Sequence, residues 1–197
     1  MRYKNRMVDP SVPNGAANFL FSIRTLWRDM VTWGRAYMIS RYAGLANAED
    51  EFNRLYEIPL EFGNIFELVF GYENAQTFMQ YLSRQIIMIR SLVEAQMAGD
   101  VNLANQLVQQ LYSLADERAA FMASINPFWN SSQVRNLIYT FFQLTIESIT
   151  TFLAGDYKRE IDIYDRLLHH TDSMGDYLAQ GILSYMTYHQ QSAPAVQ

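Results

Sequence analysis

Cysteine is absent from the 197 residues, which excludes disulfide frameworks, thiolate zinc sites and cysteine nucleophiles and leaves the redox compartment open. Charge is scarce as well. Asp, Glu, Lys and Arg make up 18% of the chain, against about 25% in an average soluble domain. The formal net charge of -5 and pI near 5.2 argue against a nucleic-acid partner, because phosphate binding needs clustered Lys and Arg. The one basic cluster, Arg2, Lys4 and Arg6, reads as a solvated tail. Uninterrupted apolar runs are only a few residues long, far short of the roughly 20 a membrane-spanning helix requires. Pro10, Pro13 and Gly15 interrupt the start, so no signal peptide is expected and a cytoplasmic location is the default.

What is abundant is apolar and aromatic: 50% hydrophobic residues, with 13 Tyr, 12 Phe and 10 Met. A chain of this size can bury a full core without a staple. The surplus of aromatics and methionines over charge points further, to self-association through aromatic and methionine-rich helix faces.

Proline is rare, strand-like alternation does not occur, and apolar residues recur at helical spacing. Phe19, Ile23, Leu26, Met30, Trp33, Tyr37 and Tyr42 share a face of a first helix that Gly44 ends. A second opens at Asn47, is expected to kink or split at Pro59, and closes at Gly71. A third carries Phe78, Leu82, Gln85, Ile89, Val93 and Met97. Asp100 caps a fourth that runs to Asn126-Pro127, Asn130 with Gln133 forms a capping box for a fifth, and Asp156 caps a sixth running to about Met186.

Ala43-Gly44, Ala98-Gly99 and Ala154-Gly155 sit between helices at offsets of 55 and 56 residues. Superposing on these turns aligns Ile23, Phe78 and Val134, then Val31, Ile86 and Phe142, then Met38, Val93 and Ile149. The second helices align as Phe52, Leu107 and Ile163, as Tyr56, Leu111 and Leu167, and as Phe66, Phe121 and Tyr177. The fold class is therefore all-α: a six-helix bundle of three helical hairpins, each too apolar on one face to stand alone. The expected organisation is a tail over 1–15, one domain over 16–188 in hairpins 16–71, 72–126 and 127–188, and a tail over 189–197.

Leu26-Trp27 with Val31-Thr32-Trp33 and Arg35, Arg54-Leu55, and Gly71 with Ala75 and Phe78 form a recognisable set. It extends through Leu92-Val93, Gly99-Asp100, Ala115-Asp116-Glu117, Ile125-Asn126-Pro127-Phe128, Leu144-Thr145, Tyr164-Asp165, Met174, Asp176 and Gly181-Ile182. In these residues the chain resembles a family of small uncharacterised all-helical proteins of spore-forming Firmicutes, some labelled acetylglutamate kinase. The resemblance covers Leu26 to Ile182 and implies a spore-associated setting. Kinase chemistry would want a glycine-rich phosphate cradle on an α/β scaffold, and this sequence has neither. Family members carry His where this chain has Met30, Gln85 and Phe141, each 13 residues before the alanine of its turn. Three imidazoles there would suit a metal; Met, Gln and Phe together do not.

Two constellations remain. A candidate pocket between the hairpins comprises Met30, Gln85 and Phe141 with Arg35, Asp116 and Glu117; Asp116-Glu117 with Arg118 reads first as a surface ion pair and second as a buried polar node, and Arg35 as a partner for an aromatic or a carboxylate. Asp162, Asp165, His169, Asp172 and Asp176 share a face of the last helix opposite Ile163, Leu167, Met174 and Leu178. That stripe reads as a solvated acidic face, with a divalent cation or basic partner as the sharper alternative. No Glu has His three residues later, which argues against a ferritin-like di-iron site. The histidines lack triad or zincin spacing. The sequence thus leads to a non-enzymatic structural or interaction bundle with no cofactor, a homo-oligomer with room for an unidentified protein partner. A ligand- or metal-binding bundle is the alternative.

Overall fold

The computed structural model describes residues 15–192, with side chains through residue 189. The basic cluster at Arg2, Lys4 and Arg6 lies outside the described residues. Six helices follow one another: α1 (Gly15–Ala43), α2 (Ala48–Phe70), α3 (Tyr72–Met97), α4 (Val101–Ile125), α5 (Ser131–Leu153) and α6 (Tyr157–Ser192). No strand occurs among the described residues. Connections are so short that successive helices reverse direction, each packs on the next, and α1 also packs on α6 to close a ring.

Three of the connections share one geometry. Gly44, Gly99 and Gly155 have φ of 68°, 70° and 79°, a left-handed conformation open to glycine at little cost. The next amide then reaches back: Leu45 N to Ser40 O at 2.9 Å, Asp100 N to Ala95 O at 2.9 Å, and Asp156 N to Thr151 O at 3.2 Å. This is the Schellman pattern, which satisfies carbonyls a helix end would otherwise orphan. The three turns lie at one end of the bundle, where Tyr42 meets Phe152 at 5.4 Å and Gln96 bonds Thr150 at 3.1 Å.

The expected caps hold at Asp100 and Asp156, whose carboxylates accept from Leu103 N and Arg159 N. They differ elsewhere. Asn47 makes no side-chain cap bond; its amide donates to Glu51 at 2.8 Å instead. Asn130 does cap, accepting from Gln133 N, but Gln133 does not reach back. The Tyr177 hydroxyl takes that place, accepting from Asn130 N at 2.8 Å and donating to Gln133 at 3.1 Å, so the box is closed by α6. Nor does Pro59 split α2, which runs through it unbroken. An interior proline costs about 3 kcal/mol. Burying Phe62 and Phe66 on the same helix returns about 1.5–3 kcal/mol each. At the far end α6 continues past the expected stop near Met186, to Ser192.

The core lies inside the ring. Ile23, Phe78 and Val134 are all buried, as are Val31, Ile86 and Phe142, and Met38, Val93 and Ile149. On α2, α4 and α6 the burial corrects the expected register. Tyr56 is 43% exposed and Leu55 is buried, in company with Leu111 and Leu167. Phe66 is likewise buried with Met122 and Leu178, whereas Phe121 and Tyr177 are only partly so. The α1–α2 turn is built differently, with Ala48 N bonding Leu45 O, and that displaces α2 by one residue. Methionine is not the surface material the composition suggested. Among the described residues only Met186 is an exposed methionine, while Met30, Met38, Met122 and Met174 fill the core.

Candidate functional site

Met30 on α1, Gln85 on α3 and Phe141 on α5 reach the centre at matching depth, 4%, 0% and 2% exposed. Gln85 donates its amide to the Met30 sulfur at 3.3 Å, and Trp27 meets Phe141 edge-on at 5.8 Å. Beside them, toward the glycine-turn end, is a mainly apolar cavity that opens to solvent. Met30, Phe141 and Arg35 line it, as do Gly34, Tyr164 and Ser148. Of the six expected pocket residues, three are therefore at the cavity. Gln85 lies behind Met30, and Asp116 and Glu117 are exposed on the outside of α4.

Those two acids are engaged there. Asp116 accepts from the Tyr139 hydroxyl at 2.9 Å, and Glu117 pairs with Arg84 at 3.2 Å. Arg118, next in sequence, takes no part. A turn of α4 carries it inward, where it is 2% exposed and donates to Gln85 Oε1 at 2.7 Å.

Arg35 meets both expectations at once. Its guanidinium lies 4.7 Å from the Tyr164 ring centroid and grips Glu160 with two bonds of 2.8 and 2.6 Å. Glu160 is fully buried and accepts a third bond from Ser148 at 3.0 Å. That hydrogen bonding holds the Arg35 guanidinium above its ordinary range. On the other side of α1, burial pushes the Tyr37 phenol up to about 12, while its hydroxyl donates to Glu94, which also holds Arg41.

The acidic stripe divides along its length. Asp176 accepts from Arg24 Nε and Nη2 and Asp172 takes Arg28 at 2.8 Å, so this half is a seam between α6 and α1. Asp162, Asp165 and His169 face solvent. No group of three or more His, Asp or Glu side chains that could hold a metal ion occurs among the described residues. Along the stripe, two carboxylates already serve arginines. The neighbouring His170 is turned the other way, its Nε2 2.7 Å from Leu137 O on α5. Trp129, in the α4–α5 connection, packs over helix ends as an aromatic loop residue commonly does: it is 2% exposed, against Phe66 and Phe70.

Of the two most deeply buried charges among the described residues, the sequence reading missed Glu160 and ranked a buried place for Arg118 behind a surface ion pair. Both were visible in principle. Arg118 continues the apolar row Leu111, Leu114, Ala115, and Glu160 precedes Ile163 and Leu167 at the same helical spacing. Against known proteins the chain stands apart: no family model, no curated protein and no solved structure matches it.

Proposed function

We propose that this chain is a non-enzymatic interaction bundle, a threefold repeat of hairpins 16–71, 72–126 and 127–188, that self-associates through the end carrying its three glycine turns. One observation carries the reading. Leu45, Val101 and Tyr157, each just past a turn and 56 residues apart, are 52%, 67% and 50% exposed. Tyr42, Leu103 and Ile161 stand exposed around them. The opposite end also exposes Leu68, Tyr72, Phe128 and Tyr188, and what sets the glycine-turn end apart is the regular placing of Leu45, Val101 and Tyr157, which on a charge-poor protein suits burial against a second copy. No helix among the described residues is long and apolar enough to cross a membrane, so these residues do not form part of a helical span. The residues shared with the spore-former family favour a cytoplasmic, spore-associated setting and leave room for a further protein partner.

Sedimentation velocity at tens of micromolar is expected to give a mass above 22.9 kDa. The triple variant Leu45→Glu, Val101→Glu, Tyr157→Glu should return to monomer with an unchanged helical circular dichroism spectrum. A wild-type monomer at that concentration overturns the reading.

The cavity favours a second reading, capture of a small neutral apolar molecule. Gly34 lies mid-helix in its wall, where a Cβ would meet nothing within 4 Å. Glycine there costs about 0.5–1 kcal/mol relative to alanine and leaves the wall open. Toluene is expected to raise the melting temperature of wild type and of Gly34→Ala, and to leave Gly34→Leu, whose side chain fills the space, unmoved. Equal responses in wild type and Gly34→Leu would place the binding elsewhere and end this reading.

A further inference from the structure

At the centre of the bundle the donors outnumber the acceptors. The fully buried Arg118 guanidinium has one bond, to the neutral Gln85 amide oxygen. Its Nη2 has no partner among the described residues. Trp27 Nε1 is buried and unpartnered too, and its ring centroid lies 5.9 Å from the Arg118 guanidinium carbon. Gln85 Nε2, the third donor, has only the Met30 sulfur, a weak acceptor. The other buried ion in the core, Glu160, is already matched by Arg35 and Ser148.

A buried cation without a counter-charge carries a desolvation penalty of several kcal/mol, and an orphaned buried donor adds to it. Burial alone lowers Arg118 to about 9, with no acidic neighbour acting on it. It therefore stays charged at neutral pH. Charge and donors together ask for an acceptor of negative sign that the described side chains do not supply.

We propose that Arg118, with Trp27 Nε1 and Gln85 Nε2, holds a small monovalent inorganic anion of halide size inside the bundle. Size follows from access. Arg118 is 2% exposed and does not line the cavity, so an extended ligand or a side chain from a partner would have to displace core residues to reach it. A halide accepts several N–H donors at once without demanding a fixed geometry. The site is thus a structural one, where the anion completes the core.

The test compares the full chain in sodium chloride and in sodium gluconate at equal ionic strength, with crystals soaked in sodium bromide. The melting temperature should rise with chloride and saturate, because a ligand bound only by the folded state stabilises it by mass action. Bromide should give an anomalous peak within hydrogen-bond distance of Arg118 Nη2 and Trp27 Nε1. Arg118→Met should lose both signals. Trp27→Phe, which keeps an aromatic ring and removes one donor, should shift the chloride response to higher concentration. A water at the site with no bromide peak overturns the proposal, as does a chloride response unchanged in Arg118→Met. If Arg118→Met fails to fold, the wild-type bromide peak and the Trp27→Phe titration decide.

Discussion

Arg35→Leu should destabilise the fold by about 3–5 kcal/mol, the range found when one partner of a buried ion pair is removed. The size of the effect comes from what remains. Glu160 would keep its place at 0% exposure, with the Ser148 hydroxyl as its only hydrogen-bond donor and no cation against it. The reverse change, Glu160→Leu, should cost less, because Arg35 is 27% exposed and can turn its guanidinium toward water. The double variant is expected to recover most of the loss, since an apolar pair of similar volume is often as stable as the ion pair it replaces. Urea unfolding followed by circular dichroism measures this as a shift in midpoint at constant slope. A single Arg35→Leu variant within 1 kcal/mol of wild type would mean that Glu160 is not held as described. Arg28→Ala supplies the scale for a pair at the surface: Asp172 keeps 26% side-chain exposure and can turn to water, so a change of about 0.2–1 kcal/mol is the most it should show.

The helices themselves were legible because their signal is local. Glycine turns, acidic or amide caps and a 3.6-residue apolar period each lie within a few positions of sequence, and the core positions on α1, α3 and α5 follow from them directly. The register of α2 was misread because the alignment was anchored on the glycine turns, and the α1–α2 turn, with Ala48 N bonding Leu45 O, is built differently from the other two. Phe52 and Tyr56 were set beside Leu107 and Leu111, when Leu55 carries the leucine that recurs in α4 and α6. What closes the ring was not legible at all. Arg24 with Asp176 and Arg35 with Glu160 join residues 152 and 125 positions apart, and no periodicity along a chain reports on such a pairing. The acidic stripe looked like a solvated face for this reason: half of it was destined for arginines on the first helix. The residues of the candidate pocket part company on similar grounds. Met30 and Phe141 could be placed by their distance from a turn, whereas Asp116 and Glu117 were chosen for chemistry, and their helix turns them outward.

At the opposite end of the bundle from the glycine turns, Trp129 is expected to be the most costly single truncation. Trp129→Ala should lose about 3–5 kcal/mol, the usual range for removing a large buried aromatic. The ring stacks on Phe66 at 5.9 Å and tilts against Phe70 at 5.4 Å, so it ties the α4–α5 connection to the C-terminal end of α2. Its other face depends on a glycine. A Cβ at Gly181 of α6 would lie 1.9 Å from Trp129 Nε1, closer than any real contact, so Gly181→Ala must push the indole aside. Alanine should gain up to about 1 kcal/mol of helix propensity, set against an overpacking loss of about 1–3 kcal/mol. The net effect on wild type is therefore destabilising. In the Trp129→Ala background the clash is gone and only the propensity remains, so the same substitution should become neutral or stabilising. That change of sign is the observation that isolates the contact, because a general effect of alanine on α6 would be the same in both backgrounds. Equilibrium unfolding of the four proteins measures it. In Gly181→Ala alone, the emission of Trp129 should move to longer wavelength as the ring meets water, and this can be read cleanly once Trp27 and Trp33 are replaced by Phe. An additive cycle with unshifted emission would show that the indole does not rest on Gly181.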